Sequence, residues 1–174
     1  MTALGQLAAP VMGDVCFGGV FACKEYTDAD MGGALATNLT FSGWAANAAV
    51  RFDARPFGVL LHASGAETAA TLPNATLYVD DNGAASTGGG YMVYQVLASS
   101  LATHTATISV EDSSTTDDGD FALLAGCTTG SIVVKAGVSG IVKTTSLAVK
   151  RYLRWQLALG TATSVTFALA FFRG

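Results

Sequence analysis

From residue 103 to residue 112 the side chains alternate in character without a break. Thr103, Thr105, Thr107, Ser109 and Glu111 fall on one side, and His104, Ala106, Ile108 and Val110 on the other. A period of two fits a strand with one face toward a core and one toward water, and it fits no helix. The pattern returns at 152–159, where Leu153, Trp155, Leu157 and Leu159 share one face and Tyr152, Arg154 and Gln156 the other. After turn residues at 160–164, Val165, Phe167, Leu169 and Phe171 alternate with Thr166, Ala168, Ala170 and Phe172. Both faces of that last strand are therefore expected to be covered, and 152–172 reads as a β-hairpin. Further strands are expected at 15–24, 38–43, 75–79, 91–98, 121–124, 132–135 and 147–149. Turns are expected at Asp80-Asp81-Asn82-Gly83, Gly88-Gly89-Gly90 and Asp117-Asp118-Gly119.

No long amphipathic helix competes with this pattern. One short helix is expected at 55–63, with Asp53 as a cap, Pro56 in the first turn and Gly65 beyond the end. Eight or so short strands separated by turn signals, without a fixed-period repeat, predict an all-β sandwich or partly open barrel with that one flanking helix. The length of 174 residues suits a single domain spanning 1–174. Such a chain buries roughly two-thirds of its unfolded surface and needs neither disulfide nor metal to fold. Residues 27–36 (TDADMGGALA) and 113–120 (SSTTDDGD) read as long loops that reach toward neighbouring subunits.

That last expectation rests on composition. Hydrophobic residues make up 51% of the chain and charged residues only 13%, against about 25% charged in an average soluble domain. The missing polarity is replaced by Ala, Gly, Ser and Thr, which suit close packing between sheets and between subunits. Much of the outer surface is therefore expected to be covered by copies of the same chain. The net charge of −4 argues against a nucleic-acid binder, which would cluster Lys and Arg on one face. Only Lys150, Arg151 and Arg154 cluster, and a mildly acidic surface lets a nucleic acid pass without sticking.

The longest charge-free apolar stretch, 155–172, is interrupted by Gln156, Gly160, Thr161, Thr163, Ser164 and Thr166. It reads as strand–turn–strand and not as a membrane span. Residues 1–13 lack a basic segment leading into a continuous apolar one, so no signal peptide is expected. Cys16, Cys23 and Cys127 are odd in number and have no zinc-like spacing, which fits free thiols in a reducing compartment. The sequons at Asn38 and Asn74 then carry no meaning.

Catalytic chemistry finds little purchase. The two histidines, His62 and His104, are accompanied by no G-x-S-x-G turn. The acidic groups at Asp80-Asp81 and at Asp112, Asp117, Asp118 and Asp120 do not follow a twelve-residue calcium loop and read as solvated turns. Gly88-Gly89-Gly90 lacks the Lys and Ser/Thr of a phosphate loop. Trp44, Tyr78, Tyr91, Tyr94, Tyr152 and Trp155 suit a sugar platform, but strand-core packing accounts for most of them. No catalytic residue, cofactor or metal ligand is assigned, and a non-enzymatic, structural role is expected.

The C-terminal half also carries a resemblance. The run Ala106-Thr107-Ile108-Ser109-Val110-Glu111-Asp112-Ser113 precedes Val149-Lys150-Arg151-Tyr152-Leu153-Arg154. A Gly-Thr-Ala-Thr-Ser-Val-Thr-Phe turn follows, and then the ending Ala168-Leu169-Ala170-Phe171-Phe172-Arg173. Over residues 102–174 this resembles the major tail, or tail tube, proteins of tailed bacteriophages in texture, without a diagnostic motif. Leu39-Thr40-Phe41-Ser42-Gly43-Trp44 is compatible with it. The resemblance implies a β-sandwich or barrel core whose copies form rings, usually hexameric, stacked into a hollow tube. DNA leaves the capsid through that tube without specific binding. It also implies other tail proteins as partners, no membrane, assembly in the host cytoplasm and a final place in the virion tail. A capsid decoration (cement) protein shares the same composition, and a carbohydrate-binding β-sandwich is the alternative from another class.

Overall fold

The computed structural model describes residues 2–5, 12–13, 15–31, 34–43, 57–68 and 78–174, with side chains at 12–13, 58–68 and 78–174. The fold is all-β, built from two antiparallel sheets. In the first sheet, β1 (Thr2–Gly5), β2 (Val15–Met31), β4 (Phe57–Glu67), β12 (Val165–Arg173), β6 (Gly90–Ser99) and β10 (Ser139–Lys143) lie in that order. β3 (Ala34–Gly43) pairs with β2. The second sheet runs β5 (Asp80–Asp81), β11 (Tyr152–Leu159), β7 (Thr105–Ser113), β8 (Ala122–Thr128), with β9 (Ile132–Val133) also on β7. Beyond β10, the Thr145 amide donates to the Ala125 carbonyl of β8 at 2.7 Å and draws the two sheets together along one side.

The expected alternation on β7, β11 and β12 is what builds the core. Ile108 and Val110 from β7, Leu153, Trp155 and Leu157 from β11, and Val165, Phe167, Leu169 and Phe171 from β12 are almost fully buried in one cluster between the sheets. The opposite face of the first sheet carries a second buried cluster, with Leu60, Tyr91, Val93, Ala170 and Phe172. Both faces of β12 are thus covered, Thr166 and Ala168 being half-buried.

Strands 152–159 and 165–172 form as expected, but they are not a hairpin. β11 pairs with β7 and β5, whereas β12 pairs with β4 and β6, in the other sheet. The amides of Gly160, Thr161 and Ala162 all donate to the Thr105 carbonyl, which holds the connection as an arch between the sheets. The reason is burial. Paired edge to edge, the two strands would present one wide apolar face in need of another layer. Crossing between sheets sets the two apolar faces against each other, at about 25 cal/mol for each Å² removed from water.

The short helix expected at 55–63 is also corrected: the described part of it, from Phe57 onward, belongs to strand β4. Its pairing with β12 slips twice, between the pairs Phe167↔Gly65 and Leu169↔His62 and again before Ala170↔Leu60. Each slip puts an extra residue on β4, so Leu60, Leu61 and His62 are buried in succession and the period of two is lost. At Gly58 a Cβ would stand 2.5 Å from the Phe171 carbonyl oxygen, so this glycine serves close strand approach. Among the described residues the only helical turn is a 3-10 turn at Asp118–Asp120.

Of residues 27–36, expected as a loop, 27–31 and 34–36 lie in the strands of a long ribbon. β2 pairs with β3 from Phe21↔Gly43 through Thr27↔Asn38 to Met31↔Ala34. Backbone groups make that ladder, which is why polar residues such as Thr27, Asp28 and Asp30 can enter it without side-chain alternation. Residues 114–120 connect β7 to β8 as an exposed segment, ending in the 3-10 turn, while Ser113 is the buried last residue of β7. Of the strand expected at 75–79, residues 75–77 lie outside the described ones, and β5 begins at Asp80. Val149 makes an isolated bridge to Ser86 where a strand was expected at 147–149. β1 and β10 carry no alternation that would have announced them.

Candidate functional site

Neither histidine sits in a catalytic constellation. His62 is buried on β4, stacked on Phe167 at 4.1 Å and edge-on to Trp155 at 4.6 Å. Its Nδ1 donates to the Phe167 carbonyl at 3.0 Å, and Nε2 faces Glu67 Oε1 at 3.0 Å. Both ring nitrogens are engaged within the first sheet and the ring is buried, while its edge-on contact with Trp155 reaches the second sheet. His104 Nδ1 lies 2.9 Å from Ser100 Oγ, which accepts from the Thr163 amide at 3.1 Å. Among the described residues no hydrogen bond from a carboxylate reaches the other nitrogen of His104.

The one described cysteine is equally occupied with structure. Cys127 is fully buried in the main core, and burial pushes its thiol up to about 12. A thiol reacts as its thiolate. Cys127 should therefore resist a maleimide at pH 8 in the native protein and be modified once the protein unfolds in urea. Peptide mass spectrometry reads this out, and fast native modification would contradict the packing.

Most of the acidic residues are matched by cations, and no group of three or more metal-ligating side chains occurs among the described residues. Five ion pairs, made by four cations, organise them. Arg173 reaches Asp80 Oδ2 through Nη2 at 3.1 Å and also donates to the carbonyls of Lys150 and Arg151. Arg151 grips both oxygens of Asp81, at 2.6 and 2.8 Å. Arg154 holds Glu111 at 2.7 Å and Asp118 of the 3-10 turn, while its guanidinium lies 4.3 Å from the Phe121 ring centroid. Lys150 faces Asp112, whose carboxylate accepts from the Lys150 amide at 2.9 Å. Arg154 thereby fastens the 113–120 segment onto its own sheet, and Thr115 bonds Asp120 within it.

The strand directions place these pairs at one end of the sandwich. Ser99, Thr105, Leu159 and Val165 share one end, since Ser99 pairs with Val165 and Leu159 with Ala106. Gly90, Ser113, Tyr152 and Arg173 share the other, through Gly90↔Arg173 and Ser113↔Tyr152. All five of these ion pairs lie toward the second end.

The aromatic residues do not form an open platform. Tyr91 is stacked on Phe172 at 4.9 Å in the second cluster, and Tyr94 and Trp155 are core residues. Tyr78 and Tyr152 meet at 4.7 Å, but the Arg151 guanidinium already lies 4.8 Å from the Tyr152 ring centroid. Trp44 lies outside the described residues. Gly88-Gly89-Gly90 is a turn whose Gly89 has a φ of 73°, and the Gly174 amide donates to its carbonyl at 2.9 Å. No helix among the described residues is long and apolar enough to cross a membrane.

What stands out instead is unpartnered β structure. β4 pairs with β2 only at Val15, Cys16 and Phe17, and β1 only at 17–20. From Phe21 to Met31 the described partner of β2 is β3 alone. No third strand flanks this ribbon among the described residues, and the outer edge of β10 likewise has no strand beyond it. No protein-family model matches this sequence, and no curated protein matches it.

Proposed function

We propose that this chain is a self-assembling virion structural protein, the subunit of a bacteriophage tail tube. The β2–β3 ribbon is the observation that carries the reading. At ~3.3 Å per residue its eleven-residue β2 limb, Phe21–Met31, extends about 35 Å. A two-stranded hairpin in water is marginally stable at best. A neighbouring copy would supply the missing layer, and joining open edges between copies would remove their aggregation hazard. The 13% charged content supports a surface largely buried between subunits. In this reading stacked, ring-shaped assemblies form the channel for DNA ejection, other tail proteins cap it, and the DNA passes without specific contacts.

Negative-stain electron microscopy of the purified protein should show rings or tubes with a central channel. Removing residues 27–36 should abolish them while the sandwich still melts cooperatively. Amides of 27–36 should exchange slowly in the polymer and fast in the free subunit. A strictly monodisperse monomer, or a protein that coats preformed shells without making tubes, would overturn the tube reading.

A further inference from the structure

The turn that leaves β5 holds a dipeptide with chemistry of its own. Asn82-Gly83 is the single Asn-Gly pair in the chain. Asn38, Asn47 and Asn74 precede Leu, Ala and Ala, whose side chains crowd the amide nitrogen that follows each asparagine. Asn82 and Gly83 are both exposed and lie outside any strand. A Cβ on Gly83 would meet nothing within 4 Å, so the space beside this peptide is open, and its φ of 74° suits glycine. The Asn82 side chain is folded forward, with Nδ2 donating to the Ala84 carbonyl at 2.9 Å. Its backbone amide donates to the Arg151 carbonyl at 3.2 Å. The Gly83 amide in turn donates to Asp81 Oδ1 at 2.8 Å, on the carboxylate that Arg151 grips. The Arg151–Asp81 pair thus reaches into the turn.

We infer that Asn82 is a self-modification site of the folded chain, converting to aspartyl and isoaspartyl residues, and that Asp81 slows the conversion. The inference goes beyond the self-assembly reading and does not rest on it. Hydroxide removes the Gly83 amide proton, and the nitrogen attacks Asn82 Cγ. The N–Cγ bond forms, the Cγ–Nδ2 bond breaks, and Nδ2 leaves as ammonia with a proton taken from water. Water then opens the cyclic imide. Breaking the N–Cγ bond gives aspartate, and breaking the nitrogen's bond to the main-chain carbonyl carbon gives isoaspartate. Asp81 opposes the first step, because its carboxylate holds the very proton that must leave. The hydrogen bonds from Arg151, and then from the Gly83 amide, hold that carboxyl down to about 2, far too weak a base to take the proton itself. The products add a carboxylate beside Asp80 and Asp81, and the isoaspartyl form lengthens the main chain between β5 and the Ser86↔Val149 bridge. Asp118-Gly119, the other pair able to cyclise, is disarmed. Its carboxylate has no ammonia to expel and is bound by Arg154, and Gly119 sits in the 3-10 turn.

The test incubates the wild type and Asp81→Ala at pH 8, each both native and in urea. Peptide mass spectrometry follows Asn82, and chromatography separates the isoaspartyl form. In the native wild type the Asn82 peptide should convert well ahead of those holding Asn38, Asn47, Asn74 and Asp118. Native Asp81→Ala should convert about tenfold faster, the worth of a hydrogen bond to a charged group. Asp81 is exposed, and a far-UV melt confirms that the variant is folded. In urea, where the turn is gone, the two proteins should convert at closely similar rates, which separates the folded contact from the local sequence. Asn82→Gln should stop the conversion, since the longer side chain must close a larger and slower-forming ring. A native Asp81→Ala no faster than the native wild type, or a native wild type as fast as the unfolded one, overturns the role of Asp81. If both native proteins keep Asn82 intact while the unfolded chains convert it, the site itself is overturned. Both results leave the self-assembly reading untouched.

Discussion

Arg173→Met should lower unfolding stability by about 3–5 kcal/mol in urea denaturation, the usual cost of leaving one partner of a buried ion pair alone. Arg173 and Asp80 are both largely withdrawn from water, with side-chain exposures of 7% and 16%. Methionine fills similar volume but strands the Asp80 carboxylate and removes a donor from the carbonyls of Lys150 and Arg151. Replacing both partners, as Arg173→Met/Asp80→Leu, should recover much of the loss, because no uncompensated charge remains. A double variant as unstable as the single one would show that the carbonyl contacts dominate.

The same corner of the fold has a pH signature with two opposing signs. Burial holds the Asp80 carboxyl above its ordinary 3.8, against the lowering pull of Arg173. A folded value above the unfolded one means that the native state holds the proton longer, so the Asp80 contribution falls as pH rises through that window. Asp81 behaves the other way. Its hydrogen bonds from Arg151, and then from the Gly83 amide, hold it down to about 2. Its contribution is present above 3.8 and is lost as pH falls toward 2. In Arg173→Met the Asp80 carboxyl loses its counter-charge, so the penalty of the substitution should shrink on acidification toward pH 4. A penalty unchanged between pH 7 and pH 4 would contradict this account.

Phe167→Ala should cost about 3–5 kcal/mol, the range for emptying an aromatic site in a core. The side chain is fully buried where the sheets meet, stacked on His62 and 5.8 Å from the Trp155 ring centroid. Its loss opens a void between β4, β11 and β12 and exposes one face of the buried His62–Glu67 pair. Phe167→Leu should cost distinctly less, since most of the volume remains. Chemical denaturation with an unchanged m-value measures both, and a loss below about 1 kcal/mol for the alanine variant would mean that the two sheets do not share this core.

Other expectations from the chain met mixed outcomes, for reasons that lie in particular residues. The strand at 103–112 was legible because it alternates, and it stands as β7 from Thr105 onward; that at 91–98 was legible as a short apolar run bounded by glycines, and it stands within β6. Bulges hid β4, whose successive burial of Leu60, Leu61 and His62 imitates no strand. The ribbon at 27–36 was read as a loop because a backbone ladder leaves no mark on side-chain character. The ionic end was half visible: the clustered acidic and basic residues could be seen, but Arg173 and Asp80 stand 93 positions apart in the chain.

By itself, then, the order of residues determined the all-β class and the apolar faces of β7, β11 and β12. Those properties follow from the period of two, which each strand carries within its own few residues. The tertiary structure decided that β11 and β12 part into different sheets, that residues 57–67 form a strand, and that charge gathers at one end. These depend on which strands meet. Backbone groups make the ladders and every residue carries them alike, while the choice among pairings goes to whichever arrangement buries the most apolar surface.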